Sequence, residues 1–287
     1  MTVEHRLRIG HRDVILVEGP AGWGECSPFL GYPCEFDAAR AAAEEAATCG
    51  WPAPVRSVVP VNGFVSASAS LADDHLGAAW RGFPSVKVKV GRATPDDDVD
   101  RIARVRDLIG PKVGLRLDAN GAWDLETAIA TLTRLARYDL EFAEQPVASL
   151  GDLATVRRQV TVPIAADECV RNVADAQRLH ATEAADVLVL KVQPLGGVLA
   201  ALAVADAAGV AAVVSSMYET SIGLAAGLAL AAALPSLPFP CGLATLGEIA
   251  GDVTATPLRP RDGGLTIDAG FPPQPAPDLL ARYAVAA

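Results

Sequence analysis

Eight short strand-like runs, most of them β-branched and separated by longer stretches rich in alanine and leucine at helical spacing, recur from residue 56 to residue 245. The runs are SVVPVNGF (57–64), SVKVKV (85–90), VGLRLDAN (113–120), EFAEQP (141–146), VPIAADE (162–168), VLVLKV (187–192), VAAVVSS (210–216) and FPCGL (239–243). From one polar or terminal residue near the end of a run to its counterpart in the next, the steps are 23 to 29 residues. A strand, a helix and two short loops consume that many, and eight such units closing on themselves make a (β/α)8 barrel of about 250 residues. The fold class predicted is therefore α/β, a (β/α)8-type TIM barrel. An open doubly wound sheet is the structural rival, but it does not predict polar residues at the carboxyl end of nearly every strand. No GxGxxG follows the first run, and no organic cofactor site is read from the chain. GPAGWG (19–24) follows VILVE as a hairpin turn does.

The connecting stretches agree with helices. PDDDVDRIARVRDLIG opens on Pro95 and three aspartates, which suit a helix N-terminus, and ends on Gly110; GVLAALAVADAAG ends on glycine in the same way. The first 55 residues leave the repeat: DVILVEGPAGWGECSPF reads as two strands about a turn, and FDAARAAAEEAATCG as a helix ending on Gly50. The tail, with PLRPRDGGLTID, is again strand and turn. The expected organisation is an α+β capping domain built from both chain ends, residues 1–55 and 246–287, around a barrel over 56–245 that carries the active site.

Strand alternation then selects the chemistry. In SVKVKV the two lysines share one face and the valines the other; with Val86, Val88 and Val90 under helices, Lys87 and Lys89 point into the barrel, where an ammonium is costly unless it has a task. Three consecutive strand ends carry acids: Asp118 in LDAN, Glu144 in EFAEQP and Asp167 in AADE. A cluster of like charge calls for a cation, and all-oxygen ligation suits a hard one, Mg2+ first, with Mn2+ or calcium admitted on ligand type. Lys191 ends the sixth run, four strands from the second and so across the barrel from it. Two lysines flanking a metal-held carboxylate suggest removal of the neighbouring proton, a task arginine cannot perform because it does not release its own. Of the 24 basic residues only Lys87, Lys89, Lys112 and Lys191 are lysines, and only Lys112 falls in an expected loop.

The charge balance excludes other classes. A formal charge of −10 leaves no basic surface for phosphate backbones or anionic lipid, so the expected partner is a small-molecule carboxylate, with no nucleic acid and no membrane. Five cysteines without a CxxC pair, and a polar opening segment, fit a reduced cytoplasm. The longest apolar run, Ile222 to Leu234, is too short for a bilayer span and reads as a buried helix. None of the four histidines has metal-site spacing.

Taken in order, KVKVG, DANGAW, EQP, AADE and LKVQPLGG resemble the enolase superfamily, in its muconate-lactonizing subgroup. GWGECSPF, GWPAPV, VPVN, SSMYETSIGLAAGLALAAALP and CGL extend the likeness over nearly the whole chain. The set most resembles the members that dehydrate a succinyl cyclohexadiene carboxylate to an aromatic acid; N-succinylamino acid racemases and dipeptide epimerases need the same catalytic set and remain the alternative. The resemblance implies Lys89 as the base and then general acid, Lys87 as its neighbour, Lys191 as the opposite cation, and Asp118, Glu144 and Asp167 as Mg2+ ligands with Asn120 and Glu168 in support. It places Ser216, Met217, Gly242 and Leu243 at the succinyl end, and Phe29, Leu30 and Tyr32 in a loop that closes over the site. Gly196 and Gly197 open a helix whose amides could attract a carboxylate. Few residues precede DVILVEG compared with the family pattern, so a trimmed capping domain is expected.

Overall fold

The computed structural model describes residues 1 to 285 except Leu30 and Asp73, so Leu30 lies outside the described residues. The chain divides into two compact units, one made of Val61–Val189 and Ala205–Val213, the other of Met1–Pro60, Leu190–Val204 and Val214–Ala287. In chain order, β1 (Val3–Ile9), β2 (Arg12–Gly19) and β3 (Gly22–Cys26) form an antiparallel sheet and lead into α1 (Phe36–Thr48). Next come β4 (Val58–Pro60), β5 (Gly63–Val65), β6 (Ser85–Lys89), α2 (Pro95–Ile109), β7 (Gly114–Asp118), α3 (Leu125–Leu135), β8 (Leu140–Glu144) and α4 (Leu150–Gln159). They are followed by β9 (Ile164–Ala166), α5 (Val173–Thr182), β10 (Val187–Leu190), α6 (Val192–Leu195), α7 (Val198–Ala208) and β11 (Ala211–Val214). The chain ends with α8 (Ser221–Ala233), β12 (Gly264–Thr266) and α9 (Pro277–Tyr283).

The first-named unit is built on a parallel sheet in which β5 to β11 lie side by side in sequence order, as repeated βα units require. Its helices start where side chains take up the free backbone N–H groups. Thr94 and Asp97 form a reciprocal capping box ahead of Pro95, and Asp124, Ser149 and Asn172 cap α3, α4 and α5. Gly110 closes α2 at φ 75°. The faces between sheet and helices are apolar: Val86, Val88, Leu115, Leu117, Ile164 and Ile102 are fully buried.

Two of the eight predicted runs differ from continuous strands. SVVPVNGF is split, because β4 pairs antiparallel with β12 while β5 pairs parallel with β6; Pro60 has no N–H to extend the first piece. FPCGL contributes isolated bridging rather than a ladder: Gly242 bridges Ser215 in parallel, its N–H donating to the Val214 carbonyl at 2.8 Å, and the Cys241 N–H donates to the Pro60 carbonyl at 2.8 Å. A proline and a glycine within those five residues keep it from a longer ladder.

In the other unit, Leu7, Ile9, Val14, Leu16, Ile222 and Val253 form one apolar cluster, and Val17, Cys26, Ala39, Ala43 and Ala47 a second. The predicted hairpin is β2 and β3, and a Cβ on Gly24 would sit 2.0 Å from the Ala43 carbonyl oxygen, so glycine lets this strand lie directly on α1. The predicted apolar helix is α8, and its residues Ser221 to Ala232 are all buried. A full strand, β1, precedes the hairpin and pairs with β2 over its whole length.

Candidate active site

Register brings the predicted site residues of the parallel sheet together. Lys89 on β6 lies opposite Asp118 on β7, and Asp118 lies opposite Glu144 on β8, so three consecutive strands end on ionisable side chains in register. Lys87, two residues back on β6, is 7% exposed. Its Nζ lies 3.0 Å from Asp118 Oδ2 and 3.0 Å from Glu144 Oε1. Lys89 Nζ donates to Asp118 Oδ2 at 2.5 Å and to Asn120 Oδ1 at 2.6 Å. Asn120 donates in turn from Nδ2 to Glu168 Oε1 at 2.7 Å. Asp167 follows β9 and is 1% exposed; Asp118 and Glu144 are equally buried.

The electrostatics favour retained charge. Burial alone would lower the Lys87 ammonium, yet Glu144, Asp118 and Asp167 overcome it and hold Lys87 above its ordinary value. For Lys87, three carboxylates outweigh the desolvation.

Whether a dication suits these residues can be judged from their charges. Asp118, Glu144, Asp167 and Glu168 supply four carboxylates against the ammoniums of Lys87 and Lys89, and Glu168 Oε2 is buried without a hydrogen-bond partner. A buried excess of acid with all-oxygen donors fits a hard divalent cation. Among the described residues, no three histidine, cysteine, aspartate or glutamate side chains converge as a metal site, and the Lys87 ammonium bridges Asp118 and Glu144.

Three supporting residues escaped the sequence reading. Gln145, left-handed at φ 39° and 1% exposed, accepts from the Asp167 N–H at 2.8 Å and donates to the Val147 carbonyl at 2.8 Å, linking the ends of β8 and β9. Asp98 accepts from the Gly91 N–H at 2.9 Å and from Trp123 Nε1 at 3.3 Å, joining the loops after β6 and β7. Arg101 donates to the Lys89 carbonyl at 3.2 Å and to the carbonyls of Ser66 and Ala69. Their signal was present: Gln145 stands inside EQP, and Asp98 and Arg101 fall on one face of α2, three residues apart.

The remaining candidates belong to the other unit. Lys191, 6% exposed, follows β10. Ser216 Oγ lies 2.6 Å from Thr245 Oγ1, and the Ser216 N–H donates to the Gly242 carbonyl at 3.1 Å, so these two meet. A Cβ on Gly242 would be 2.5 Å from Ser215 Oγ, which leaves room for glycine alone. Met217 and Leu243 are buried at 2% and 0%. Phe29 packs edge-on against Tyr218 at 5.6 Å. The amides ahead of α7 are already used: Glu45 accepts from Val198 N–H at 2.7 Å and from Leu199 N–H at 3.3 Å. No helix of the described residues is long and apolar enough to cross a membrane.

Comparison with known proteins places this geometry. Residues 71–273 match the family model described as enolase C-terminal domain-like, and residues 1–47 match enolase N-terminal domain-like. The chain is 52% identical over 259 residues to an o-succinylbenzoate synthase of Thermobifida fusca, covering 89% of this chain and 81% of that protein. It is 44% identical over 269 residues to the synthase of Mycobacterium tuberculosis, covering 92% and 81%. The solved muconate cycloisomerase of Pseudomonas fluorescens superposes with a TM-score of 0.87 at 22% identity, over 100% of this chain and 98% of that one, which shows a shared (β/α)8-type barrel fold with a capping domain. Enzymes of this superfamily depend on a divalent metal. With a relative more than half identical over most of both chains, and both enolase-type regions present, the chain belongs to the o-succinylbenzoate synthase family of the enolase superfamily.

Proposed function

We propose that this protein is a Mg2+-dependent hydro-lyase that converts 2-succinyl-6-hydroxy-2,4-cyclohexadiene-1-carboxylate to o-succinylbenzoate, a step of menaquinone biosynthesis. The in-register cluster of Lys87, Lys89, Asp118 and Glu144 at three adjacent strand ends supports the proton-abstraction chemistry, and the 52% identity to an o-succinylbenzoate synthase carries the choice of dehydration over racemization. Lys89, as free amine, takes the proton next to the substrate carboxylate, and the C–H electrons move toward that carboxylate. The resulting ammonium returns its proton to the departing hydroxyl on the same face; water leaves, the electron pair forms the new double bond, and the ring becomes aromatic. Lys87, as a second cation beside Lys89, favours release of that proton. Asn120 aligns the Lys89 amine, and Gln145 keeps Asp167 beside Glu144. Lys191 takes the role given by the resemblance, a cation for the charge developing on the substrate carboxylate. A divalent cation held by Asp118, Glu144 and Asp167, Mg2+ with Mn2+ as substitute, supplies further positive charge at that carboxylate.

Ser216, Met217, Gly242 and Leu243 are proposed to line the substrate's succinyl end, and Phe29 to lie in the loop that closes over the site, in a cytoplasmic enzyme with capping segments 1–55 and 246–287 and a barrel over 56–245. The test is a direct assay of the cyclohexadiene acid with Mg2+. Appearance of the aromatic product's absorbance is the expected result; no conversion, together with active racemization of N-succinyl amino acids, overturns the assignment.

A further inference from the structure

The loop after β3 is bound to the turn that presents Lys191, and both belong to the same compact unit. At the base of the loop, the buried Ser27 donates its N–H to Gln193 Oε1 at 2.8 Å, and Gln193 Nε2 donates back to Ser27 Oγ at 3.3 Å. Gln193 stands two residues after Lys191. Arg12 Nη2 adds a bond to Ser27 Oγ at 3.2 Å, and Ser27 Oγ donates to Glu25 Oε1 at 2.6 Å. Further along, the Tyr32 N–H donates to the Phe29 carbonyl at 3.0 Å, and the Tyr32 ring faces Lys191, with Nζ 3.9 Å from the ring centroid.

A π face attracts an ammonium but offers no such attraction to a neutral amine. The contact therefore favours the form of Lys191 that can stabilise a developing anion and disfavours the form that can accept a proton. Dehydration through Lys89 needs only the cation. Racemization of an N-acylated amino acid needs a second base: one lysine takes the α proton while the other, already protonated, delivers a proton to the opposite face. From the Tyr32–Lys191 contact and the Ser27–Gln193 tie beneath it, we infer that Tyr32 is a positioning residue that determines specificity, holding Lys191 as an ammonium and so directing the site to dehydration rather than racemization. This rests on the synthase reading above.

The test uses the full-length protein with Mg2+, its Tyr32→Leu and Tyr32→Phe variants, and the two enantiomers of N-succinylphenylglycine in D2O. Deuterium uptake at Cα is followed by NMR. One enantiomer exchanges through Lys89 and the other requires Lys191 as base; the Lys191→Arg protein, which keeps a cation at that position but cannot accept a proton, loses the second selectively and so identifies them. Tyr32→Leu is expected to raise the Lys191-dependent exchange relative to the Lys89-dependent exchange by about three- to thirtyfold. Tyr32→Phe, which keeps the ring face, should stay within about twofold of the unaltered protein. Parallel change of both enantiomers in the leucine variant, no Lys191-dependent exchange in that variant, or a phenylalanine variant that behaves like leucine overturns the inference. Thermal unfolding verifies that each variant folds, and Tyr32→Gln replaces leucine if that one does not. Failure of the unaltered protein to dehydrate the cyclohexadiene acid overturns the synthase reading itself, independently of the enantiomer ratio.

Discussion

Two buried clusters of ionisable groups occupy the two units of this protein, and they solve the cost of buried charge in opposite ways. At the strand ends, Lys87 and Lys89 meet Asp118 and Glu144 at 2.5 to 3.2 Å, and the charge of Asp167 adds to the field that holds the Lys87 proton. In the other unit, Glu25 and Glu219 are both buried and face each other's charge, and the donors around them are neutral. Glu25 accepts from Ser27 Oγ at 2.6 Å, Thr220 Oγ1 at 2.5 Å and the Gly223 N–H at 3.0 Å. Glu219 accepts from the Met217 N–H at 2.6 Å. Burial pushes Glu25 above the ordinary carboxylate value, and burial followed by the Glu25 charge pushes Glu219 up to about 7. The first cluster balances the Lys87 ammonium against carboxylates, and the second raises both of its carboxylates toward the neutral form.

That contrast makes the two clusters respond differently to single substitutions, and the largest response belongs to the strand ends. Lys89→Ala removes the group proposed to take and return the proton, so kcat for dehydration is expected to fall by at least about a thousandfold. Circular dichroism and thermal unfolding should be close to those of the unaltered protein, because Lys89 is partly exposed and the buried Asp118 keeps Lys87 Nζ and the Asn120 N–H as donors. Retained turnover would show that the charges at this cluster are structural, as in the other unit.

A smaller loss is expected one step removed. Gln145→Ala deletes the acceptor for the Asp167 N–H and the donor to Val147, so Asp167 is no longer tied to the end of β8. Mn2+ affinity, read by electron paramagnetic resonance on the purified protein, should weaken by about ten- to a hundredfold. The expected kinetic signature is a raised metal requirement, with kcat recovered at saturating Mn2+; a lower kcat at unchanged metal affinity would assign Gln145 to the fold alone.

The strand-end cluster was legible in the sequence because its parts recur at the period of the fold. LDAN, EFAEQP and AADE each put an acid at the end of a strand-like run, and strand alternation alone placed Lys87 and Lys89 on one face. The register of β6, β7 and β8 then needs nothing beyond neighbouring βα units. The Glu25–Glu219 pair had no such signal. The two residues lie far apart in sequence, neither stands in a repeating unit, and their proximity depends on how the β3 loop meets the segment before α8, a tertiary fact that no local pattern encodes. The run SVVPVNGF failed for a related reason. Its composition is that of one strand, and the choice of partners, β12 for one half and β6 for the other, is made by distant chain. Lys87 shows the same limit in electrostatics, since its burial could be foreseen and the outcome of burial against three carboxylates could not.

The smallest and most selective effect tests the second cluster by pH. The folded-state value of Glu219, about 7, lies above its ordinary 4.5, so between those values the folded protein holds a proton that the unfolded chain has released. Stability contributed by that proton is fully present below about pH 4.5, declines as pH rises through the window, and is absent above about 7. Glu219→Gln keeps a side-chain oxygen to accept from the Met217 N–H and removes the ionisation, while Glu25 and Arg12, the other charged groups acting on this position, stay in place. Urea unfolding of both proteins at pH 5 and pH 8 isolates the difference. The glutamine variant should gain relative to the unaltered protein between pH 5 and pH 8 by up to about 3 kcal/mol, because only the glutamate must surrender its proton in a buried site. Equal pH slopes would mean that Glu219 ionises in the fold as freely as in the unfolded chain, and the distinction between a cluster that balances an ammonium against carboxylates and one that raises its carboxylates toward the neutral form would be lost.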